Sequence, residues 1–402
     1  MKTMLVLAGA CLVSIAARTS PQQANQPPIR SGVELVLVDV QVVDRQGRPL
    51  GSLRPEDFEV SLDGKRRRVV SAEFVRHAPG ADAPGTSDQS VPQPAAGLSA
   101  SAVQGRRFIL AIDEHSFRPA SARAAMHAAS RFIEGLEPAD LVGLYTYPTG
   151  AVHSDLTDDH AAVRQALEKV TGLLDLPMSR YALSKSEVVD ISSGDNDTWN
   201  RVAARECVAT DATCRRAIRD EAISLAGYFE MQVAQSLGGL RHLVRGLSQL
   251  EGRKTLVIVS GGLFTSDRGG GRVNMNYEIQ SVGREAAASN ANVYVLHMDS
   301  SFIEAFSERR GPSPTLFRDS NALASGLEMV AGAAGGALLR VQAGTGDSAF
   351  QRVLLENSAY YLLGVEPEPD DRDGESHAIR VRVRVRGATI RSRASVTVPR
   401  TD

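Results

Sequence analysis

Between Arg106 and Glu356 short, strongly apolar stretches alternate with amphipathic ones, and this alternation restricts the possible folds more than any other feature of the chain. "RFILAID", "LVGLYTY", "KTLVIVSGG", "NVYVLHMDS" and "ALLRV" read as strands. "SARAAMHAASRFIEGL" sets Ala125, Ala129, Phe132, Ile133 and Leu136 on one helical face and stops before Pro138. "DDHAAVRQALEKVTGLL" repeats Val163, Ala166, Leu167, Val170 and Leu174 at helical spacing, with Thr157 as its expected cap and Asp158 and Asp159 in its first turn. Apolar residues from Ile223 to Leu247 recur at helical period, across a Gly238-Gly239 pair able to kink or break the helix. Further helices are expected near 278–290, 320–333 and 347–356. Strand, helix, strand, helix in this order predicts a parallel sheet with right-handed crossovers.

Both ends of the chain read differently. "VELVLVDVQVV" places Val36, Val38, Val40 and Val42 on one face, and "VSLDGKRRRVV" carries an Asp63-Gly64 hairpin turn. "HAIRVRVRVRG" alternates Ile379, Val381, Val383 and Val385 with Arg380, Arg382, Arg384 and Arg386, the pattern of a strand buried on one side only. Each segment alone would be marginal, so the two are expected to join as a small β-sandwich. The expected organisation is a signal peptide over 1–17, a disordered mature N-terminus over 18–32, an N-terminal β segment over 33–78 and a Pro/Ala/Gly/Ser-rich linker over 79–104. An α/β domain over 105–345 follows, with a polar insertion at 175–216, and then a C-terminal helix and β segment over 346–402.

"MKTMLVLAGACLVSIAA" has the layout of a secretory leader, with too short an apolar run to span a bilayer. A lipoprotein with Cys11 acylated is the competing reading. In an exported chain, Cys207 and Cys214 in "ECVATDATC" read as a local disulfide; a redox or metal pair is the alternative, which neither a CxxC spacing nor a neighbouring His supports. With 43% apolar and 23% charged residues and a net charge of −2, the chain has no global charge directing it to nucleic acid.

The segments "VELVLVDVQVVDRQGRPLGSLRPEDFEVSLDG", "RRFILAIDEHSFRPASARAAMHAASRFIEGLEPADLVGLYTY", "SDLTDD", "LEGRKTLVIVSGGL" and "SAYYLLGVEPEPDDRDGESHAIRVRV", in this order, resemble the von Willebrand factor A-related proteins of acidobacterial type, an exported group. The resemblance implies an α/β fold with a doubly wound, mainly parallel sheet. It also implies a ligand site at the carboxyl edge of that sheet, where a divalent cation is held by an Asp-x-Ser-x-Ser run, a Thr and a second Asp. Asp113 matches the first Asp, but His115 and Phe117 stand at the two Ser positions. After the central strand come Ser260, Gly261 and Gly262 in place of Thr-Asp-Gly. The expectation is therefore a degenerate, metal-free site, with no cofactor and no catalytic residue.

His297 and Asp299 end a neighbouring strand, so Asp113, His115, Ser116, Ser260, Gly261 and Asp299 form the expected binding edge. Polar residues also gather wherever apolar strands reach water, and Asp113 could simply accept a hydrogen bond from Ser260. "SGGLFTSDRGGGR" lacks the spacing of a phosphate loop and reads as a flexible loop. The arginine ladder, extended by Arg391 and Arg393, is either a solvated strand face or a grip on a polyanion. Three functions follow as expectations. The first is an exported protein–protein interaction module, without a membrane span and without nucleic acid. The second is a metal-dependent binder or enzyme using Asp113, His115 and Asp299, and the third a structural envelope protein associated peripherally with an anionic surface.

Overall fold

The computed structural model describes residues 35–77, 105–175, 177, 179–250, 252–266, 268–302, 305, 314–341, 346–393 and 395–400. The expected signal peptide, mature N-terminus, Cys11 and the linker over 79–104 lie outside them.

Two sheets carry the architecture. The larger has seven strands, all antiparallel, in the order β12-β1-β10-β3-β2-β11-β13. Here β1 is Val36–Val43, β2 Phe58–Leu62, β3 Lys65–Arg76, β10 Ala359–Glu366, β11 Ser376–Val383, β12 Thr389–Ser392 and β13 Ser395–Thr397. The smaller has six strands in the order β6-β5-β4-β7-β8-β9, from β4 Arg107–Asp113, β5 Leu141–Tyr147, β6 His153–Thr157, β7 Lys254–Ser260, β8 Ala291–Met298 and β9 Ala337–Val341. It is mixed, because β6 folds back antiparallel on β5 while the other neighbours run parallel.

The expected doubly wound, mainly parallel sheet with a small β-sandwich is thereby corrected: the largest sheet is an antiparallel half-barrel, and the second is mixed. The physical reason lies in how the ends of the chain meet. β10 inserts between β1 and β3, and β2 bridges β3 and β11, so N- and C-terminal strands interleave in one sheet instead of facing each other across two. The alternating valines of β1, with Phe58, Val60, Leu62, Tyr361, Leu363, Ile379 and Val381, then share a single core. The Asp63-Gly64 turn closes β2 onto β3 with both residues at positive φ, 48° and 80°, the geometry that an Asp-Gly pair tolerates.

The arginine ladder is also redrawn. Arg380, Arg382 and Arg384 stand exposed, and Arg384 donates to Glu59 at 2.7 Å. Arg391 and Arg393 do not extend that face. They leave from β12 and its end, where Arg391 is buried against Glu356 and Arg393 donates to the Leu37 carbonyl.

Around the mixed sheet lie α1 Pro119–Glu134, α2 His160–Leu167, α3 Lys185–Ser192, α4 Asn196–Glu206, α5 Ala212–Leu247, α6 Asn276–Ala288, α7 Leu316–Ala333 and α8 Gly346–Glu356. Side chains alternate across each strand: Ile109, Ala111, Leu256, Ile258, Val293 and Val295 pack with α5, α6 and α7. Phe108, Leu110, Ile112, Val257, Val259 and Leu296 pack with α1, α2 and α8 on the other side. Helix α2 is capped by Asp159, which accepts from the Ala162 N–H at 3.0 Å; Thr157, the expected cap, instead accepts the Asp159 N–H from within β6. Segment 175–216 is built into the body. Val188 and Val189 join the core under α5, while Ile191, Val202, Ile218 and Ala222 form a smaller cluster closed by the Cys207–Cys214 disulfide.

The sheets meet through a buried polar knot. Glu356, with no exposed surface, receives Arg391 Nε at 2.8 Å, Arg352 Nε at 2.8 Å and Tyr294 Oη at 3.0 Å. Gln41 of β1 donates to the Glu356 carbonyl and to Asn357 Oδ1, and its own Oε1 accepts from Asn292 and lies 3.1 Å from Tyr294 Oη at the start of β8.

Helix α5 passes Gly238-Gly239 without interruption. A Cβ on Gly239 would lie 2.7 Å from Pro148 Cα, whereas one on Gly238 would meet nothing within 4 Å. Gly238→Ala should therefore stabilise the protein by about 0.5–1 kcal/mol in urea unfolding, and Gly239→Ala should cost about 1–3 kcal/mol despite the same gain in helix propensity. Equal effects would show that α5 does not press on that turn. Removing the carboxylate of the knot with Glu356→Gln strands the buried Arg391 and should cost about 3–5 kcal/mol by the same measurement.

Candidate functional site

Strand β4 is apolar from Phe108 to Ile112, so the alternation that buries Ile109 and Ala111 under α5 also points Asp113 into that layer. In the parallel register Asp113 lies beside Tyr147 of β5 and, one step past the Ile112/Val259 pair, beside Ser260 of β7. Ser260 pairs with His297, and His297 with Arg340. Tyr147, Asp113, Ser260, His297 and Arg340 thus form one row across five strands at the carboxyl edge.

Asp113 is 2% exposed and Ser260 not at all. Ser260 Oγ donates to Asp113 Oδ2 at 3.0 Å, and Ser236 Oγ, from α5, donates to Oδ1 at 3.0 Å. Burial pushes the carboxyl of Asp113 up to about 7, against the pull of the two serine hydrogen bonds, and the neighbouring Glu114 charge adds to the rise. The hydroxyls are engaged too: Ser260 Oγ accepts the Gly262 N–H at 3.1 Å, while Ser116 Oγ donates to the Asp113 carbonyl and accepts the Gly261 N–H, both at 2.7 Å. Gly261 is required for this closure, since a Cβ there would lie 2.4 Å from the Ser116 carbonyl oxygen. The loops after β4 and β7 are pinned to each other and to α5.

Above the row opens a cleft of about 730 Å³. Asp113, His115, Ser116 and Gly261 line it; Leu225, Phe229, Gln232 and Val233 of α5 form one wall; and Leu183, Lys185 and Arg205 from segment 175–216 form another. Of the six expected binding residues, four line the cleft, and Ser260 lies beneath it. Asp299 does not line it: its carboxylate is taken by Ser320 Oγ at 2.6 Å and the Ser301 N–H at 2.9 Å. Burial works to raise the pKa of Asp299, but these hydrogen bonds win and hold it below the usual carboxylate value. Burial lowers that of His297, whose two ring nitrogens make no hydrogen bond of normal geometry. Among the described residues no three His, Cys, Asp or Glu side chains converge as a set of metal ligands.

Two contributors escape a strand-by-strand reading of the sequence. Ser236 sits inside the buried stripe of α5 between Val233 and Leu240, and a small polar residue in that stripe was the available signal. Glu114, buried next to Asp113, accepts the Thr149 N–H at 3.1 Å and the Thr149 hydroxyl. The glycine-rich stretch after β7 is tied down by Arg268 to Asp190 and Asp195 and by Arg272 to Glu230.

No family model matches the chain, and no curated protein matches it. Among solved structures, the pilus adhesin SpaC from Lactobacillus rhamnosus GG, in its open conformation, aligns over 74% of this chain and 44% of its own, at 9% identity and a TM-score of 0.31. The chain thus spans less than half of that adhesin, and so loose a superposition carries no argument. Membership in the von Willebrand factor A-related group, expected from the sequence, is corrected accordingly: no family model or curated protein supports it, and the sheet composition differs from a doubly wound, mainly parallel one. The Cys207–Cys214 disulfide marks a chain that folds in an oxidising compartment, as an exported protein does. No described helix is long and apolar enough to cross a membrane.

Because Asp113 holds its proton more tightly folded, at about 7, than at the ordinary 3.8, it binds more protons in the folded state between those values. Its contribution to stability therefore falls as pH rises from about 4 to about 7 and stays low above that. Asp113→Asn keeps an acceptor and a donor for the two serines, so it should stabilise the protein at pH 8, by an amount bounded on the order of 4 kcal/mol, with the gain vanishing near pH 4. A difference between the two proteins that does not change with pH in urea unfolding would exclude Asp113 as the titrating group.

Proposed function

We propose that the protein is an exported recognition module that holds a protein partner in the cleft at the carboxyl edge of the mixed sheet. The observation carrying this reading is the form of the cleft. Its floor is fixed by Asp113 between Ser236 and Ser260, and its walls combine apolar side chains such as Leu183 and Phe229 with the cations Lys185 and Arg205. Such a mixture of apolar surface and few polar anchors suits a docked side chain or segment of another protein. The polar groups on the floor are already bonded to one another, which favours a supporting role for them over a reacting one. Asp113, Ser116 and Ser260 set the shape, and the partner would touch the wall. The compartment, periplasm or exterior, follows from where that partner resides.

Segment 175–216 supplies one wall but also part of the core, so deleting it would unfold the protein rather than test recognition. A photo-crosslinker placed at Gln232, which is half-buried in the α5 wall, tests it without that loss. With native envelope extract, Gln232 should give a discrete crosslinked species that Leu183→Glu reduces at least about tenfold, as expected for a charge forced into an apolar contact. The same species formed equally from position 380 on the antiparallel sheet, or unaffected by Leu183→Glu, would refute the assignment.

A further inference from the structure

The opposite end of the mixed sheet holds a second, smaller recess of about 80 Å³, lined by residues of both sheets. Arg106 and Arg107 enter it from the start of β4, Arg253 from just before β7, and His77 and Tyr360 from the antiparallel sheet. Among the described residues no acidic side chain lines it. Arg106 has its counter-charge, since Asp140 grips it through Nε at 3.0 Å. Arg107 lies across Gly252, where a Cβ would fall 2.6 Å from its Nη1. Arg253 is different. Its guanidinium stacks on Tyr360, with 4.5 Å from Cζ to the ring centroid, but among the described residues its enclosed Nη1 has no acceptor and no carboxylate forms an ion pair with it.

An enclosed guanidinium N–H without an acceptor is costly, because the group has lost water and gained nothing for it. Asp39 attracts Arg253 only from beyond ion-pair distance, and it attracts Arg393 as well. Burial accordingly lowers the pKa of Arg253, and burial together with the charges of Arg106 and Arg253 brings His77 down to about 4, so His77 adds no charge near neutrality. Among the described residues Arg253 is left without a balancing acid in contact with it. Half-buried Gly105, Arg106 and Arg107 and exposed Gly252 open the recess to solvent. Guanidinium groups, with planar N–H forks, are the side chains best matched to the oxygens of a tetrahedral or carboxylate anion.

We propose that this recess is a binding site for a small oxyanion, a phosphate, sulfate or carboxylate group, with Arg253 as its principal ligand and Arg107 at its mouth. The occupant supplies the acceptor that Arg253 lacks. Because the lining comes from both sheets, binding at this point also draws them together and raises the stability of the folded state.

Inorganic phosphate is the probe. At constant ionic strength set with sodium chloride, phosphate should raise the thermal unfolding midpoint of the mature protein saturably. Arg253→Gln should weaken the apparent affinity at least about tenfold, while Arg380→Gln on the outer strand face leaves it unchanged. No shift with the unaltered protein, or equal weakening by both substitutions, would overturn the proposal. Should Arg253→Gln fail to fold, Arg107→Gln carries the same comparison, and crystals soaked in selenate locate the anion directly. Anomalous density against Arg253 supports the site, and density found only elsewhere overturns it.

Discussion

The whole arrangement depends on one buried carboxylate. Glu356 is the last residue of α8, where the helix presents its unpaired carbonyls and the negative end of its dipole, so an acid without exposed surface is doubly disfavoured there. Burial raises its pKa, yet the charge-assisted bonds from Arg391 and Arg352 outweigh it and hold the group below the ordinary value. The partners come from four places in the sequence: β12 sends Arg391, β8 sends Tyr294, α8 itself sends Arg352, and β1 sends Gln41 to the adjoining carbonyl. The bonds from Arg391 and Gln41 form only if the antiparallel and mixed sheets are docked in this orientation. The knot therefore does more for the uniqueness of the packing than for its strength, since an apolar filling of equal volume would hold the sheets together without fixing their angle.

Asp113 poses the opposite case in the same molecule. It too is a fully buried carboxylate, but only neutral hydroxyls and a backbone N–H reach it, so desolvation wins and its carboxyl rises towards neutrality. No arginine is spent there, and a group that readily takes a proton can stay buried at the floor of a cleft without a resident cation. Arg253 completes the contrast as a positive charge without its acid. One carboxylate saturated by cations, one settled by a proton, and one cation left short of an anion divide the chain into a joint, a cleft floor and a recess.

Much of this was legible from residue order. The strand-helix alternation located every strand from β4 to β9 except β6, and period-two patterns located β1 and β11, because both signals depend on which faces are buried and burial is written directly in the side chains. The cleft floor was legible as well: four of its residues follow from knowing that polar side chains at the ends of parallel strands share an edge. What escaped was pairing at long range. Nothing local tells β10 to enter between β1 and β3, and this insertion turns an expected sandwich into a half-barrel. Likewise Arg391 continues the arginine-rich sequence without continuing its face, since the turn at Gly387 moves it to another strand whose inward side meets Glu356. Thr157 lost its role as a cap by two residues, because the chain stays extended through β6 before α2 begins at His160.

Segment 175–216, polar enough to look like an excursion, is inseparable from the cleft. Four of its acids are engaged within the fold: Asp195 caps α4, Asp211 caps α5, Glu187 closes a capping box on α3 and holds Arg205, and Asp190 takes Arg318 from α7 as well as Arg268. Polarity here is internal wiring, with Trp199 clamped between Arg215 and Arg219 and the disulfide fixing the turn from α4 into α5. Helix α5 then carries that order down to Ser236, whose hydroxyl meets Asp113. One wall of the cleft and the Ser236 contact to its floor thus belong to the same helix. A partner docked as proposed would therefore press on a helix whose Ser236 hydroxyl is bonded to the acid at the sheet edge.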